Sequence, residues 1–315
     1  MVRCDVFSTF SCEEPGRSFL QCLRSATGES CGIICGMVEG FHTTSFPDID
    51  FSMPGEVSLR TPHGVVTEDQ WGRYALLKGV GPGDASAPAG DQALSAFECV
   101  ERELASVGME FSHVVRTWLY ADRILEWYSD LNNARDRFFR SRGVYDRYVP
   151  ASTGIGWTGS SPARIVLGAF AAQAKEPGSV EVEPLPSPLQ CPALEYGSSF
   201  SRAAEVRTPG WRRVIVSGTA SLEPGRHEVA HVGDAARQID CAMKAVAAIY
   251  ASRGMSLADV SGALVYLKDE SYRTLWENWL AAHPEYPAAH AHAIVADVCR
   301  PQWLFEIESD ATQWK

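Results

Sequence analysis

Two glutamates near the carboxyl end of the chain stand in a stretch that otherwise has the pattern of a buried strand. The stretch reads "DVCRPQWLFEIESDA" over residues 297–311. Because successive side chains of a strand point to opposite faces, Glu306 and Glu308 share one face, while Phe305 and Ile307 share the other. The apolar face predicts packing on a helix. The acidic face is compatible with solvent, with a partner surface or with proton transfer in a reaction.

The composition limits the classes of protein to consider. The 315 residues are enough for two domains of ordinary size, and 45% hydrophobic with 21% charged residues is typical of a soluble globular protein. A formal net charge of −11 argues against nucleic acid or an anionic membrane as the main partner. No apolar run approaches the roughly 18–20 residues of a membrane helix, and the first residues lack the apolar core of a signal peptide. These features predict a cytoplasmic protein.

The cysteines predict neither a disulfide framework nor a metal site. Nine cysteines are scattered along the chain, an odd number that favours reduced, packing thiols. The tightest group, Cys22, Cys31 and Cys35 with His42 nearby, lacks the paired spacing of a zinc site. We therefore expect no bound metal.

Three segments of the chain recur in the same order, which predicts a duplication. The matching pairs are 71–79 with 211–219, 90–120 with 233–267, and 162–171 with 301–310. The last pair, at an offset of 139, places Leu167 opposite Glu306 and Ala169 opposite Glu308. The first copy then has no acid at these positions, so the fold alone does not require one.

Each copy reads as a hairpin, a helix, a strand, a second helix and closing strands. This order predicts α+β units, each with helices on one face of a sheet and the other face free to meet a partner. In the second copy, residues 234–254 carry apolar side chains at helical spacing, and Asp234 lies at the first turn. The Pro-rich stretch 176–192 predicts a linker. The expected divisions are an N-terminal extension over 1–70, a first unit over 71–185, and a second unit over 186–315 that carries the acidic strand.

Residues 200–310 resemble the YjgF/RidA fold, in which three subunits pack sheet face to sheet face and sites lie in the clefts between them. Over about residues 70–310 the chain is similar to the chorismatases, which are long chains with tandem units of this fold. The similar motifs are "RTWLY" (116–120), "NNARDRFF" (132–139), "PASTGIG" (150–156), "YGSSFSRA" (196–203), "SGTAS" (217–221) and "ADVCRPQWLFEIE" (296–308).

The resemblance implies a fold class and an activity. The fold is α+β, with tandem YjgF/RidA-like (chorismate-mutase-like) units, each a mixed β-sheet with helices packed on one face. The activity is release of pyruvate from chorismate, giving a hydroxybenzoate (3-hydroxybenzoate type) or a dihydroxycyclohexadienoate for secondary-metabolite biosynthesis. No cofactor is expected, because the chemistry needs none.

The implied reaction assigns a role to the acidic strand. Cleavage of the enolpyruvyl ether begins with protonation of its methylene carbon, which leaves an oxocarbenium centre open to water or to an internal hydroxyl. That step needs a carboxylic acid still protonated near neutral pH, and Glu306 is the predicted catalytic acid. The alternative is a solvated or structural strand carboxylate. Glu308, nearer the strand end, is the weaker candidate, and we expect Glu308→Gln to be mild.

The two carboxylates of chorismate call for arginines, whose planar fork grips a carboxylate with two hydrogen bonds. Arg202 and Arg135 lie in the similar motifs and are predicted to bind substrate. The alternatives are a surface or interface ion pair for Arg202 and a solvated or i,i+4-paired side chain for Arg135. Tyr196 is expected to offer its hydroxyl to the ligand or to pack in the core, and Cys299 to line the pocket and influence the product. The remaining predicted wall residues, for which a strand-end bulge is the alternative, are Gly218, Thr219 and Ala220.

Two other functions remain open at this point. RidA-type enamine or imine deaminases bind the substrate carboxylate with an arginine upstream of the strand glutamate, whereas the corresponding stretch here, "AAHAHAI" (288–294), has none. A non-catalytic small-anion-binding protein on the same fold is the second alternative. Two units make only part of a trimeric barrel, so we expect a monomer with pseudo-trimeric packing or a small homo-oligomer.

Overall fold

The computed structural model describes residues 54–157 and 161–315, which form two β-sheets and four α-helices. The cysteine group around Cys31 and most of the predicted N-terminal extension lie outside the described residues. The strands of the first half are β1 (Glu56–Thr61), β2 (Gly64–Glu68), β3 (Gly72–Val80), β4 (Val114–Ala121), β5 (Ala151–Gly156) and β6 (Ile165–Ala174). Those of the second half are β7 (Glu181–Leu185), β8 (Ala203–Arg207), β9 (Trp211–Ala220), β10 (Val260–Leu267), β11 (Ala291–Val295), β12 (Asp297–Val298) and β13 (Phe305–Trp314). The helices are α1 (Ala89–Ser106), α2 (Ile124–Ser141), α3 (Ala235–Ala251) and α4 (Arg273–Ala282).

The two sheets have the same strand order. The first runs β1-β2-β3-β6-β4-β5-β12, and the second, read in the matching direction, runs β7-β8-β9-β13-β10-β11. In both sheets one pair of strands is parallel, β4 with β5 and β10 with β11, while their neighbours are antiparallel. Both sheets are therefore mixed, as predicted. The short strand β12 of the second half adds to the edge of the first sheet beside β5.

The structure shifts the internal alignment by one residue. Arg73 donates a hydrogen bond to Gln173 at 3.2 Å, and Arg212 donates to Gln313 at 3.1 Å in the equivalent place. The true offsets are therefore 139 for the β3/β9 pair and 140 for the β6/β13 pair, the reverse of the sequence alignment. That alignment was wrong because it matched one tryptophan at the start of each strand, and these tryptophans are not structurally equivalent.

The shift changes which residues correspond to the two glutamates. On β6, Val166 pairs with Tyr120, and on β13, Glu306 pairs with the equivalent Tyr266. The counterpart of Glu306 is thus Val166 rather than Leu167, and that of Glu308 is Gly168. The first copy therefore still has no acid at these two positions.

The two sheets pack with one face on helices and the other face on each other. Buried apolar side chains of α1 and α2 lie on the first sheet, and those of α3 and α4 on the second. On β13, Phe305 and Ile307 are fully buried on the helix side, and Phe305 contacts Trp276 of α4 at 5.6 Å between ring centroids. The opposite face of β13 meets the first sheet, where Trp118 and Tyr120 are buried. The acidic face is therefore interior, and solvent contact does not account for it.

Two local predictions have different outcomes. Asp234 caps α3 by accepting a hydrogen bond from the backbone N–H of Arg237 at 3.0 Å, which typically contributes about 1 kcal/mol. The stretch 176–192, predicted as a linker, instead contains β7, an edge strand on which Pro184 is tolerated because an edge needs no ladder donor there.

In the described part of the chain, no helix is long and apolar enough to cross a membrane.

Candidate active site between the two sheets

A pocket lies where α2 and β5 of the first half face β9 and β13 of the second; we call it the inter-sheet pocket. Its principal lining residues are Tyr128, Asn132, Arg135, Ser152, Tyr196, Ser198, Phe200, Arg202, Gly218, Ala220, Cys299, Arg300, Trp303 and Glu306. The space left for water inside it is about 40 Å³, within about 610 Å³ of atom-free volume that includes open solvent. A ring-sized ligand therefore requires lining side chains to move.

Glu306 is a buried acid at the base of this pocket. Its side chain is 4% exposed, and its Oε2 atom has no hydrogen-bond partner among the described residues. Burial, together with the negative charge of Glu308, raises the pKa of Glu306 to about 8, and Arg202 opposes that rise. The carboxyl group is therefore largely protonated at neutral pH, which is the form a general acid requires.

Gly218 lets the acid and the pocket wall come close together. On β9, Ser217 and Gly218 bulge opposite Glu308, because Val216 pairs with Ser309 and Thr219 pairs with Ile307. A Cβ atom at position 218 would lie 2.1 Å from Oε1 of Glu306 and 3.0 Å from Cγ2 of Thr153. The position of the carboxyl therefore requires glycine here. Gly218 lies in a strand bulge and also lines the pocket, so both interpretations of the sequence apply to it.

Gly218→Ala should displace the acid while leaving the fold intact, because the atom in its way is the mobile end of a side chain. A displacement of about 1 Å costs about 100-fold in turnover, so we expect a fall of that order. Steady-state kinetics with the substrate proposed below, beside thermal unfolding, measure both effects. Gly81→Ala is the matched control, since a Cβ at position 81 meets nothing within 4 Å. Equal turnover in the two variants would contradict the placement of Glu306.

Arg202 and Arg135 bring two positive charges into the pocket. Arg202 is 5% exposed and Arg135 is 3% exposed, and neither forms an ion pair with a carboxylate in the described ranges. Arg202 donates from Nε and Nη2 to the carbonyl of Cys191 at 2.9 and 2.7 Å, while Arg135 donates to Asn132 at 2.6 Å. Burial lowers the pKa of Arg135. Buried cations without a carboxylate partner are costly, so their retention points to an anionic ligand.

A third arginine lies beside the pocket. Arg300 is stacked over Tyr196 and Trp303, with its Cζ atom 5.4 and 4.8 Å from the ring centroids. It also donates to the carbonyl of His227, in the segment that follows β9. Tyr196 therefore lines the pocket, and its ring packs against two arginines, Arg202 and Arg300.

Cys299 lines the pocket, but its thiol is not activated. Burial, together with the charge of Glu306, raises the pKa of Cys299 to about 12, so the thiol is protonated at neutral pH. It lies beside the hydroxyl of Tyr128, whose own pKa is also raised by burial. The residue is suited to shaping the pocket, and not to nucleophilic attack.

Of the eight predicted site residues, Thr219 is the one that does not line the pocket. Strand alternation puts Gly218 and Ala220 on the pocket side, whereas Thr219 pairs with the helix-facing Ile307 and donates to the carbonyl of Ser217 at 2.8 Å. The sequence analysis missed several lining residues, although most lay inside the quoted motifs. These are Tyr128, Asn132, Ser152, Ser198, Phe200, Arg300 and Trp303.

Glu308 is more deeply embedded than the sequence indicated. It is fully buried and forms an ion pair with Arg116, which is 1% exposed. Removing one partner of a buried pair typically costs about 3–5 kcal/mol, because the other charge is left unpaired. A mild effect of Glu308→Gln is therefore no longer expected, and the substitution should lower the free energy of unfolding.

The raised pKa of Glu306 predicts a pH-dependent stability. The unfolded chain releases this proton near pH 4.5, the ordinary value, whereas the folded chain holds it up to about pH 8. Between these values the folded state binds more protons, so its stability falls by about 1.4 kcal/mol per pH unit as pH rises, and no further above pH 8. Chemical denaturation should show that Glu306→Gln is more stabilising at about pH 8 than at about pH 5. An equal effect at both pH values would show that the carboxyl has its ordinary pKa.

The chain is similar to several known proteins. The family model for Endoribonuclease L-PSP matches residues 196–313. A chorismatase of Streptomyces rapamycinicus is 28% identical over 298 residues, which span 86% of this chain and 80% of that protein. A chorismatase of Streptomyces hygroscopicus is 26% identical over 291 residues, spanning 85% and 81%. A chorismatase crystal structure superposes with a TM-score of 0.62 at 22% identity, over 80% of this chain and 78% of that one.

These comparisons confirm two predictions from the sequence. The resemblance to chorismatases holds over most of the chain, and the homologues support an enzyme. The α+β fold with tandem YjgF/RidA-like units is confirmed by the structural superposition and by the family match in the second unit. The site residues, and the divisions at 71 and 186, stay predictions.

Proposed function

We propose that this protein cleaves the enolpyruvyl ether of chorismate and releases pyruvate. One observation carries the proposal: a buried, protonated carboxyl shares a pocket with two buried arginines that lack carboxylate partners in the described structure. Chorismate is a dianion with an acid-labile enol ether, so its two charges match the two arginines and its reactive bond matches the protonated acid. The chorismatases to which the chain is similar support the same choice.

Glu306 acts as the general acid. It donates its proton to the methylene carbon of the enolpyruvyl group, and the resulting carboxylate stabilises the oxocarbenium centre that forms. Arg202 and Arg135 hold the two carboxylates of the substrate and so orient the methylene carbon toward Glu306. Since no metal or redox step enters this sequence, the chain's own side chains suffice for it.

Two fates of the cation give two products. If water adds to the oxocarbenium carbon, the hemiketal collapses to pyruvate and a dihydroxycyclohexadienoate, with one water consumed. If an internal hydroxyl captures it and the ring then aromatises, pyruvate and a hydroxybenzoate form with no net water. Cys299 lines the same pocket, and we infer that its neutral thiol limits access of water to the cation. Either acid would serve as a precursor in secondary metabolism.

The competing deaminase function gains no support from the pocket. The stretch 288–294, which lacks the deaminase arginine, runs from a short helical turn into the edge strand β11, and neither of its histidines lines the pocket. His290 contacts the carbonyl of Val260 at 3.0 Å, and His292 is exposed. An imine substrate would also leave one of the two buried arginines without a carboxylate.

The test is direct. The purified full chain is mixed with chorismate, pyruvate is followed by a lactate-dehydrogenase-coupled assay, and the ring product is identified by mass spectrometry. A parallel reaction offers an α-imino acid. Pyruvate with an equal amount of one ring acid supports the proposal, and the mass of that acid, differing by one water, distinguishes a hydroxybenzoate from a dihydroxycyclohexadienoate. Unchanged chorismate, with imine hydrolysis faster than in a protein-free control, would support a deaminase, and binding without turnover of either would support an anion-binding protein.

A further inference from the structure

Glu308 lies on the same face of β13 as Glu306, two residues along, and is surrounded by hydrogen-bond donors. Its Oε2 atom accepts from Arg116, from Nε1 of Trp118 at 2.9 Å and from Oγ1 of Thr153 at 2.5 Å. Its Oε1 atom accepts from the hydroxyl of Tyr266 at 2.7 Å. Four donors, one of them a guanidinium, therefore fix the position of this carboxylate.

Most of these donors come from the first unit, which has no acid of its own at this level. Arg116 and Trp118 are on β4 and Thr153 is on β5, whereas Glu308 is on β13 of the second unit. Arg116 also binds Asp310 at 2.7 Å, so its guanidinium links two carboxylates of the same strand. The first unit thus anchors the acidic face of the second across the packed sheets.

The same network reaches the pocket wall. Thr153 donates to Glu308 and, through the same oxygen, accepts from the backbone N–H of Gly218 at 3.1 Å. Gly218 is the residue against which the Glu306 carboxyl rests, with 2.1 Å from its virtual Cβ to Oε1. A continuous chain of contacts therefore runs from Arg116 through Glu308, Thr153 and Gly218 to Glu306.

We propose that Glu308 is a positioning residue for the reaction: the first unit fixes its carboxylate beside Glu306, the acid that must donate the proton. This inference rests on the proposed function, but it concerns the state of Glu306 and can be tested without turnover. It also explains why the chain has two unequal units: the second supplies the acid, and the first supplies the cation and donors that fix the charge beside it.

The other groups around Glu306 determine in which direction the loss of Glu308 moves the pKa of Glu306. The titratable or charged residues that line its pocket or pair with it are Tyr266 on β10, Tyr128 and Arg135 on α2, Tyr196 and Arg202 before β8, and Cys299 and Arg300 after β12. The arginines favour the ionised form of Glu306, and the thiol and phenols are neutral near pH 7. Burial is the largest cause of the raised pKa of Glu306 and the charge of Glu308 is the second, so removal of that charge should lower this pKa.

The test compares two substitutions on one strand. Glu308→Gln and Asp310→Asn each remove a buried partner of Arg116, so both should be less stable than wild type. The alkaline limb of the kcat/KM profile should move to lower pH by about one unit in Glu308→Gln and stay in place in Asp310→Asn. An unmoved limb in Glu308→Gln, or an equal shift in both variants, would overturn the proposal.

A second measurement tests the role of Glu308 independently of the proposed reaction. Infrared difference spectra between wild type and Glu306→Gln, taken from about pH 6 to about pH 10, report the protonated carboxyl directly. The band of the protonated Glu306 carboxyl should disappear at a lower pH in the Glu308→Gln background than in the wild-type background, and the measurement needs no substrate. If Glu308→Gln does not fold, the double variant Arg116→Gln/Glu308→Gln removes both charges together and should show a smaller shift in the same direction. An unshifted band there would reject the role of Glu308 even if chorismate is cleaved.

Discussion

Glu306→Gln should lower kcat for pyruvate release by about 1,000-fold, because general acid catalysis typically contributes about 100- to 10,000-fold and glutamine cannot donate a proton to carbon. The fold should persist, since glutamine has the same shape and no buried charge. Substrate binding should change little, because the arginines that hold the carboxylates are untouched. Single-turnover kinetics separate the two effects: the chemical step slows while the dissociation constant for chorismate stays near the wild-type value.

The control for this experiment is the same substitution at an exposed position. Glu277 lies on the outer side of α4, so Glu277→Gln should leave both kcat and stability at wild-type values. A Glu306→Gln variant that retains wild-type turnover would show that the proton comes from another group. Tyr128 would then be the next acid to examine, because its hydroxyl lies in the same pocket.

Arg202→Met should weaken chorismate binding by about 100-fold, which corresponds to loss of one charge-assisted contact in a buried site. Stability should fall by only about 1 kcal/mol: the carbonyl of Cys191 loses two donors, but removal of a buried cation without a carboxylate partner in the described residues also removes a desolvation cost. Isothermal calorimetry with chorismate in the Glu306→Gln background, where turnover is suppressed, measures the affinity. Thermal unfolding of the ligand-free protein measures the stability.

Arg116→Met is the matched control for this prediction. Arg116 is as buried as Arg202, but it binds Glu308 and Asp310, so the substitution leaves two buried carboxylates without their cation. It should therefore lower the free energy of unfolding by about 3 kcal/mol or more. Similar losses of stability in Arg116→Met and Arg202→Met would mean that Arg202 is a structural residue, and would remove the argument for an anionic ligand.

Strand periodicity was enough to predict the acidic face of β13. Alternation alone separated Glu306 from Phe305 and Ile307. In the structure Phe305 and Ile307 pack on the helices, and Glu306 faces the pocket. Motif similarity then indicated Arg202, Arg135 and other residues that line one pocket. Alternation also explains the failure at Thr219, since three consecutive residues of a strand cannot all face the same pocket.

The environment of Glu308 could not be predicted from the sequence. Its donors are far away along the chain: Arg116 is separated from it by 192 residues and Thr153 by 155. No local pattern reports a contact of that range, because it depends on how the two sheets pack. The one-residue error in the repeat arose because the alignment matched Trp71 with Trp211, which are not equivalent once the strands are paired.

The pH dependence of kcat/KM for pyruvate release from chorismate tests the central claim most directly. If the buried Glu306 is the general acid, the rate is constant near neutral pH and falls above about pH 8, where the free enzyme loses the proton. A rate that rises through this range would contradict the account, because the ionised carboxylate would then be the active form.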